Sequence, residues 1–125
     1  MRGLIIKPYW LDLILSGKKK IEVRGFIPKN YFCEKFYLIE SGGMVRGTAR
    51  ISASFYFSNE AEWEEYKHIT CLDISYEDLL KKYSKPCGWL LENVERIEPF
   101  EYKKRPGAVI WIKEVERRDA QRNGF

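Results

Sequence analysis

Residues 17–24 read Gly-Lys-Lys-Lys-Ile-Glu-Val-Arg, so three lysines, a glutamate and an arginine crowd one short segment. A strand alternates its faces with period two. Glu22 and Arg24 therefore share a side with Lys20, while Ile21 and Val23 face the other way. Cations gathered around one carboxylate suit a phosphate or a polar base. Lys19 either meets a phosphate or carbonyl oxygen as a point charge, or is one more solvated lysine. Glu22 either accepts from a base edge while Arg24 holds a phosphate, or the two form a structural pair. An exposed pair adds only ~0–1 kcal/mol, so stability alone is a weak reason to place it there.

The elements that must position these groups come next. Residues 4–7 read as a short strand, and Lys7 is biased to extended geometry by the proline after it. Pro8 suits the first turn of a helix that runs to about Ser16, with Trp10, Leu13 and Ile14 on one face. Gly17 stands where a helix stop needs a left-handed residue. Lys7 sits beside the helix entrance, either lining a cleft or solvated. Residues 20–24 form a strand and residues 25–33 a loop, with Pro28 and Asn30 as turn signals. Residues 35–40 are a strand, followed by a turn at Ser41-Gly42-Gly43. Its N–H groups could contact an anion, although a plain hairpin turn needs no such role.

Residues 44–57 give the clearest strand. Val45, Ala49, Ile51, Ala53, Phe55 and Phe57 fall on one face, and Gly47 allows a bend or a close approach there. Residues 59–68 and 75–83 are helices, each opened by a capping pattern, Asn59 with Glu62 and Ser75 with Asp78. Residues 87–97 are a strand with a phase break near Glu92-Asn93 that marks a bulge. Residues 99–106 form a charged connection, 108–115 a last strand, and 116–125 a polar tail that frays. The order β-α-β, strands, two helices, strands predicts an α+β chain: a small mixed β-barrel flanked by helices, one domain over residues 1–125.

The opening segment resembles the ASCH family (activating signal cointegrator homology), a branch of the PUA-like fold. The family pattern Gly-x-Lys-x-x-Glu-x-Arg stands here as Gly17, Lys19, Glu22 and Arg24. Ile6-Lys7-Pro8-Tyr9, Leu13-Ile14-Leu15-Ser16, Gly88-Trp89-Leu90-Leu91 and Pro106-Gly107-Ala108-Val109-Ile110-Trp111 also look like the family. The resemblance implies a PUA-like barrel that binds RNA or a modified nucleotide in a basic cleft. Some relatives are amidohydrolases on acylated cytidine, with a lysine acting on a threonine nucleophile. Lys19 fits that lysine, but position 22 is Glu, so the nucleophile is missing. The alternative is a hydrolase acting on RNA or a modified nucleoside, with Lys19 and Glu22 as the proton-handling pair.

Among the aromatics, Trp10, Trp89 and Trp111 lie in apolar elements and read as core. Tyr9 and Tyr102 are better placed for a pocket, and Lys103-Lys104-Arg105 beside Tyr102 could contact phosphate. Net charge is only +4, from 22 Lys and Arg against 18 Asp and Glu, so its distribution matters more. Residues 1–24 and 103–122 are basic and 59–80 acidic, which would orient a polyanion. The acidic helix gives a third reading, a protein-interaction surface, with no partner singled out. Cys33, Cys71 and Cys87 are widely spaced and read as reduced thiols, and His68 with Cys71 makes only half a zinc site. No cofactor or metal is expected. With no long apolar run or signal sequence, the expectation is a cytoplasmic monomer without membrane contact.

Overall fold

Lys7 takes φ −60° and ψ 145°, the extended geometry required before proline, and so separates β1 (Gly3–Ile6) from α1 (Pro8–Leu15). The computed structural model describes residues 1–28, 34–107 and 109–118. Gly17 ends α1 at φ 85°. The Gly17 N–H donates to the Ile14 carbonyl and the Lys18 N–H to that of Leu13, a double closure that satisfies two carbonyls of the last turn. The chain then enters β2 (Ile21–Arg24), β3 (Phe36–Glu40) and β4 (Val45–Tyr56). Two helices follow, α2 (Glu60–Thr70) and α3 (Tyr76–Lys82). Asn59 and Ser75 cap them as their sequence patterns predict, accepting from the Glu62 and Asp78 N–H groups. The chain closes with β5 (Cys87–Phe100) and β6 (Trp111–Ile112).

Among the described residues the strands form one mixed sheet in the order β2-β5-β4-β3-β1-β6. β1 runs parallel to β3, and every other pairing is antiparallel. The sheet coils into a half barrel, the small α+β barrel expected from the sequence. Leu4 and Ile6 of β1 pack with Leu11, Ile14 and Leu15 of α1, and with Phe36, Trp89 and Leu91 of the sheet. Ile21 and Val23 of β2 turn instead to Trp63 and Leu79 of the two later helices. That leaves Glu22 and Arg24 on the opposite side, as their spacing requires.

Several details differ from the sequence reading. The buried stripe of α1 is Leu11, Ile14 and Leu15; Trp10 is half-buried at its border. An eight-residue helix with apolar groups on most sides leaves its inward face ambiguous. The alternation of β4 fails at Ala53, which is exposed, because the register with β5 shifts between Ile51 and Ala53. Gly47 does mark a close approach: a Cβ there would lie 2.6 Å from the Glu95 carbonyl oxygen. The predicted bulge in β5 is present, with Asn93 at φ 52°, but the strand continues through Pro99 to Phe100. The last strand shrinks to two residues. Residues 116–118 are held rather than frayed, since the Lys103 N–H donates to Glu116 O and the Arg118 N–H to Glu101 O. Asn30, Cys33, Ala108 and the tail beyond Arg118 lie outside the described residues. No helix among the described residues is long and apolar enough to cross a membrane.

Candidate functional site

β2 and β1 stand far apart in the strand order, yet the coil of the sheet brings their side chains together. Arg24 Nη2 donates to the Ile5 carbonyl at 3.5 Å across the open seam. A cleft of about 390 Å³ occupies this seam. Its lining includes Lys7, Trp10, Lys19, Glu22, Arg24 and Ser41, so five of the sequence-predicted site residues meet in one hollow.

Of the three consecutive lysines only Lys19 is buried, at 2% exposure. The closure after α1 puts it there: the Lys19 N–H also donates to the Leu13 carbonyl, which turns the chain back under the helix end. Lys19 Nζ donates to the Thr70 carbonyl at 2.6 Å. That oxygen belongs to the last turn of α2, where carbonyls lack helical partners and carry partial negative charge. Lys19 also lies 3.5 Å from Glu22 Oε1 and 4.9 Å from the centre of the Trp10 ring. Burial pulls the Lys19 ammonium below the ordinary lysine value, and the Glu22 carboxylate is the main influence opposing that shift.

Glu22 is 6% exposed and is held from both sides. Its Oε2 accepts from Arg24 Nε at 2.8 Å and pairs with Nη2 at 2.7 Å, a two-pronged grip that fixes the guanidinium plane. Arg24 in turn lies 5.7 Å from the Trp89 ring centre, with Trp89 itself anchored through Nε1 to the Phe26 carbonyl. Lys19, Glu22 and Arg24 thus form a continuous chain of charge with one net positive unit. Lys7 and Lys82 add two exposed cations to the rim, and neither has an ion-pair partner among the described residues. Glu22 is the sole carboxylate among the cleft's described lining residues. Arg24 Nη1 has no protein acceptor among the described residues, so the chain can still donate to a guest.

Other candidates fall elsewhere. Tyr9 is 65% exposed, packs edge-on to Trp10 and does not line the cleft. Ser41 lines it, but its N–H donates to Ile6 O and that of Gly43 to Glu40 O; the turn keeps these donors for itself. Tyr102, Lys103 and Lys104 surround a separate hollow, and the Tyr102 ring is 6% exposed among Ile39, Val45 and Phe100, with no open face for stacking. Leu72, Lys82, Tyr83, Val109 and Ile110 also line the cleft; none is among the site residues expected from the sequence, although Val109 and Ile110 stand in the family-like segment 106–111. They arrive from three distant segments, and nothing in the sequence links those segments to one site. Trp10 was assigned to the core, although an aromatic ring one turn into a helix that borders charged residues was a usable signal. Among the described residues no three His, Cys, Asp or Glu side chains gather as a metal site.

No family model and no curated protein matches the sequence. Among solved structures, similarity is found to the ASCH protein of Zymomonas mobilis and two of its mutant forms. The unmutated protein is 22% identical, with a TM-score of 0.66 over 80% of this chain and 72% of that one. The mutant forms are each 23% identical at TM-score 0.68, again over 80% of this chain and over 72% and 74% of theirs. The chain therefore shares its fold with the ASCH protein of Zymomonas mobilis.

Proposed function

We propose that the cleft binds RNA or a modified nucleotide. The observation that carries this reading is the buried Lys19–Glu22–Arg24 chain opening onto a hollow lined by four cations and one carboxylate. Buried ion pairs are poor stabilisers, because desolvation offsets their attraction. Their placement at a cleft mouth is better explained by a guest that needs fixed charge. Phosphate oxygens would be met by Lys7, Lys82 and Arg24 and would supply most of the affinity. Glu22 Oε1 faces Lys19 loosely and would accept from the amino edge of a base. Trp10, Val109 and Ile110 offer apolar surface for the ring.

The test is fluorescence anisotropy of a labelled single-stranded RNA across a salt series. Binding should weaken steeply between about 50 and 200 mM salt. Replacing both Lys7 and Lys82 by alanine should make the slope of log K against log salt shallower by about 1.4, at ~0.7 per phosphate contact on a single strand. Affinity that ignores salt would remove the proposal. A hydrolytic reading, on RNA or a modified nucleoside, has one observation in its favour: a lysine drawn below its ordinary value beside a carboxylate. It requires Glu22→Gln to abolish turnover while sparing binding. Absence of product from RNAs and acylated nucleosides after long incubation would rule it out.

A further inference from the structure

The cleft does not end at Ser41. A second hollow of about 300 Å³ shares Ile5, Ser41 and Val109 with it. A third, of about 470 Å³, shares Gly42, Tyr102 and Lys104 with the second. Their shared linings place the three side by side, as a groove from the seam past the turn after β3 to the segment 101–104 and Arg118.

The chemistry of the groove repeats along its length. Beyond the cleft its described lining residues add Lys103, Lys104, Arg105 and Arg118 against the single carboxylate of Glu101. Lys103 and Arg105 lean on Glu116, at 3.4 and 3.2 Å. Lys104 reaches only the Gly42 carbonyl, at 3.4 Å, and Arg118 has no ion-pair partner among the described residues. Exposed apolar side chains line the same hollows. Met44 is 42% exposed in the third hollow, and Val109, at 40%, borders the first and second.

A single nucleotide would fill the cleft and leave the rest of this pattern without purpose. A duplex would keep its bases stacked inside and away from Met44 and Val109. We infer that the occupant is a single strand of RNA long enough to thread all three hollows, with phosphates on Lys104 and Arg118 and bases against Met44 and Val109. This rests on the RNA reading of the cleft and extends it to a strand path and a minimum length.

The experiment compares fluorescein-labelled oligouridylates of two and eight nucleotides. The octamer should bind about 30- to 100-fold more tightly than the dimer, because the added contacts act at high effective concentration. The double variant Lys104→Ala, Arg118→Ala changes two exposed side chains. It should remove most of that gain, make the octamer's salt slope shallower by about 1.4, and leave the dimer unchanged. Equal binding of dimer and octamer would overturn the strand path while sparing the cleft. A length gain indifferent to the double variant would overturn this path in favour of another. A polyglutamate peptide that competes as well as the octamer would reduce the groove to an unselective polyanion surface and overturn the RNA assignment. Failure of both oligonucleotides to bind would instead sink the reading of the cleft itself.

Discussion

Replacing Glu22 by Gln tests whether the buried charges depend on one another. Lys19 is 2% exposed and Glu22 6% exposed, so water screens neither well. Removing one partner from a buried pair costs about 3–5 kcal/mol. Here the glutamine oxygen remains an acceptor, and Lys19 keeps the Thr70 carbonyl. Lys19 can also shed its proton, which sets a ceiling on the charge-related loss. Holding a lysine of ordinary value 10.5 neutral at pH 7 spans 3.5 pH units, or about 5 kcal/mol at 1.36 kcal/mol per unit. At pH 9 the gap is 1.5 units, or about 2 kcal/mol. The expected destabilisation is therefore about 3 kcal/mol at pH 7 and no more than about 2 kcal/mol at pH 9. The sign follows from linkage. Lys19 already sits below its ordinary value, so the unfolded chain holds that proton more tightly. Stability then rises with pH between the folded value and 10.5. Without Glu22 that window opens lower and the rise is larger. Burial pushes the Cys87 thiol and the Tyr102 hydroxyl up, which lowers stability at high pH. Both groups are common to the two proteins and cancel in the difference. Urea unfolding followed by tryptophan fluorescence at pH 7 and 9 gives that difference directly. A gap that stays constant or widens at pH 9 would refute the coupling.

Gly47→Ala should destabilise by about 1–3 kcal/mol in the same assay, since its Cβ would meet the Glu95 carbonyl oxygen at 2.6 Å and Leu15 Cδ2 at 2.8 Å. Asn59→Ala should cost about 1 kcal/mol by removing the acceptor for the Glu62 N–H at the start of α2. Reversing the charge of Lys7 and Lys82 to glutamate should leave thermal stability within about 0.5 kcal/mol of the parent, because both are exposed and have no ion-pair partner among the described residues. The same variant should lose RNA binding at all salt concentrations; retained binding would exclude the cleft.

Local signals were legible in the sequence wherever one residue decides the geometry. Gly17 had to be left-handed, Asn59 and Ser75 had to cap, and the period-two pattern of residues 21–24 had to split charge from core. The phase break at Glu92-Asn93 is visible because a bulge displaces every later side chain. What stayed hidden depends on contacts between distant segments. The alternation in β4 gave no warning that register shifts would expose Ala53. The run of three lysines looks uniform, and only the fold selects Lys19, by placing the carbonyl end of α2 above it. Further lining of the cleft comes from Leu72, Lys82, Tyr83, Val109 and Ile110, which stand in three separate segments that only the fold brings together.

The seam explains why charge and cleft occur together. A coiled sheet that fails to close leaves two backbone edges facing each other, and bare edges invite pairing with other chains. One edge is β2; the other is β6 together with the end of β1 that β6 leaves uncovered beyond Leu4, and pairing these two directly would remove the edges and the hollow with them. In this chain the edges are bridged by side chains instead: Arg24 reaches the Ile5 carbonyl, and Glu22 and Lys19 stand behind it. Such a bridge needs long polar groups, and long polar groups in a seam need counter-charges and carbonyl partners to be tolerated. Thr70, at the end of α2, supplies the deepest of those partners, so a helix remote in sequence sets the position of Lys19. The same arrangement that keeps the barrel open thus fixes an arginine plane, a carboxylate and an ammonium in the cleft. On the binding reading proposed above, side chains so preorganised would have little entropy left to lose when RNA binds.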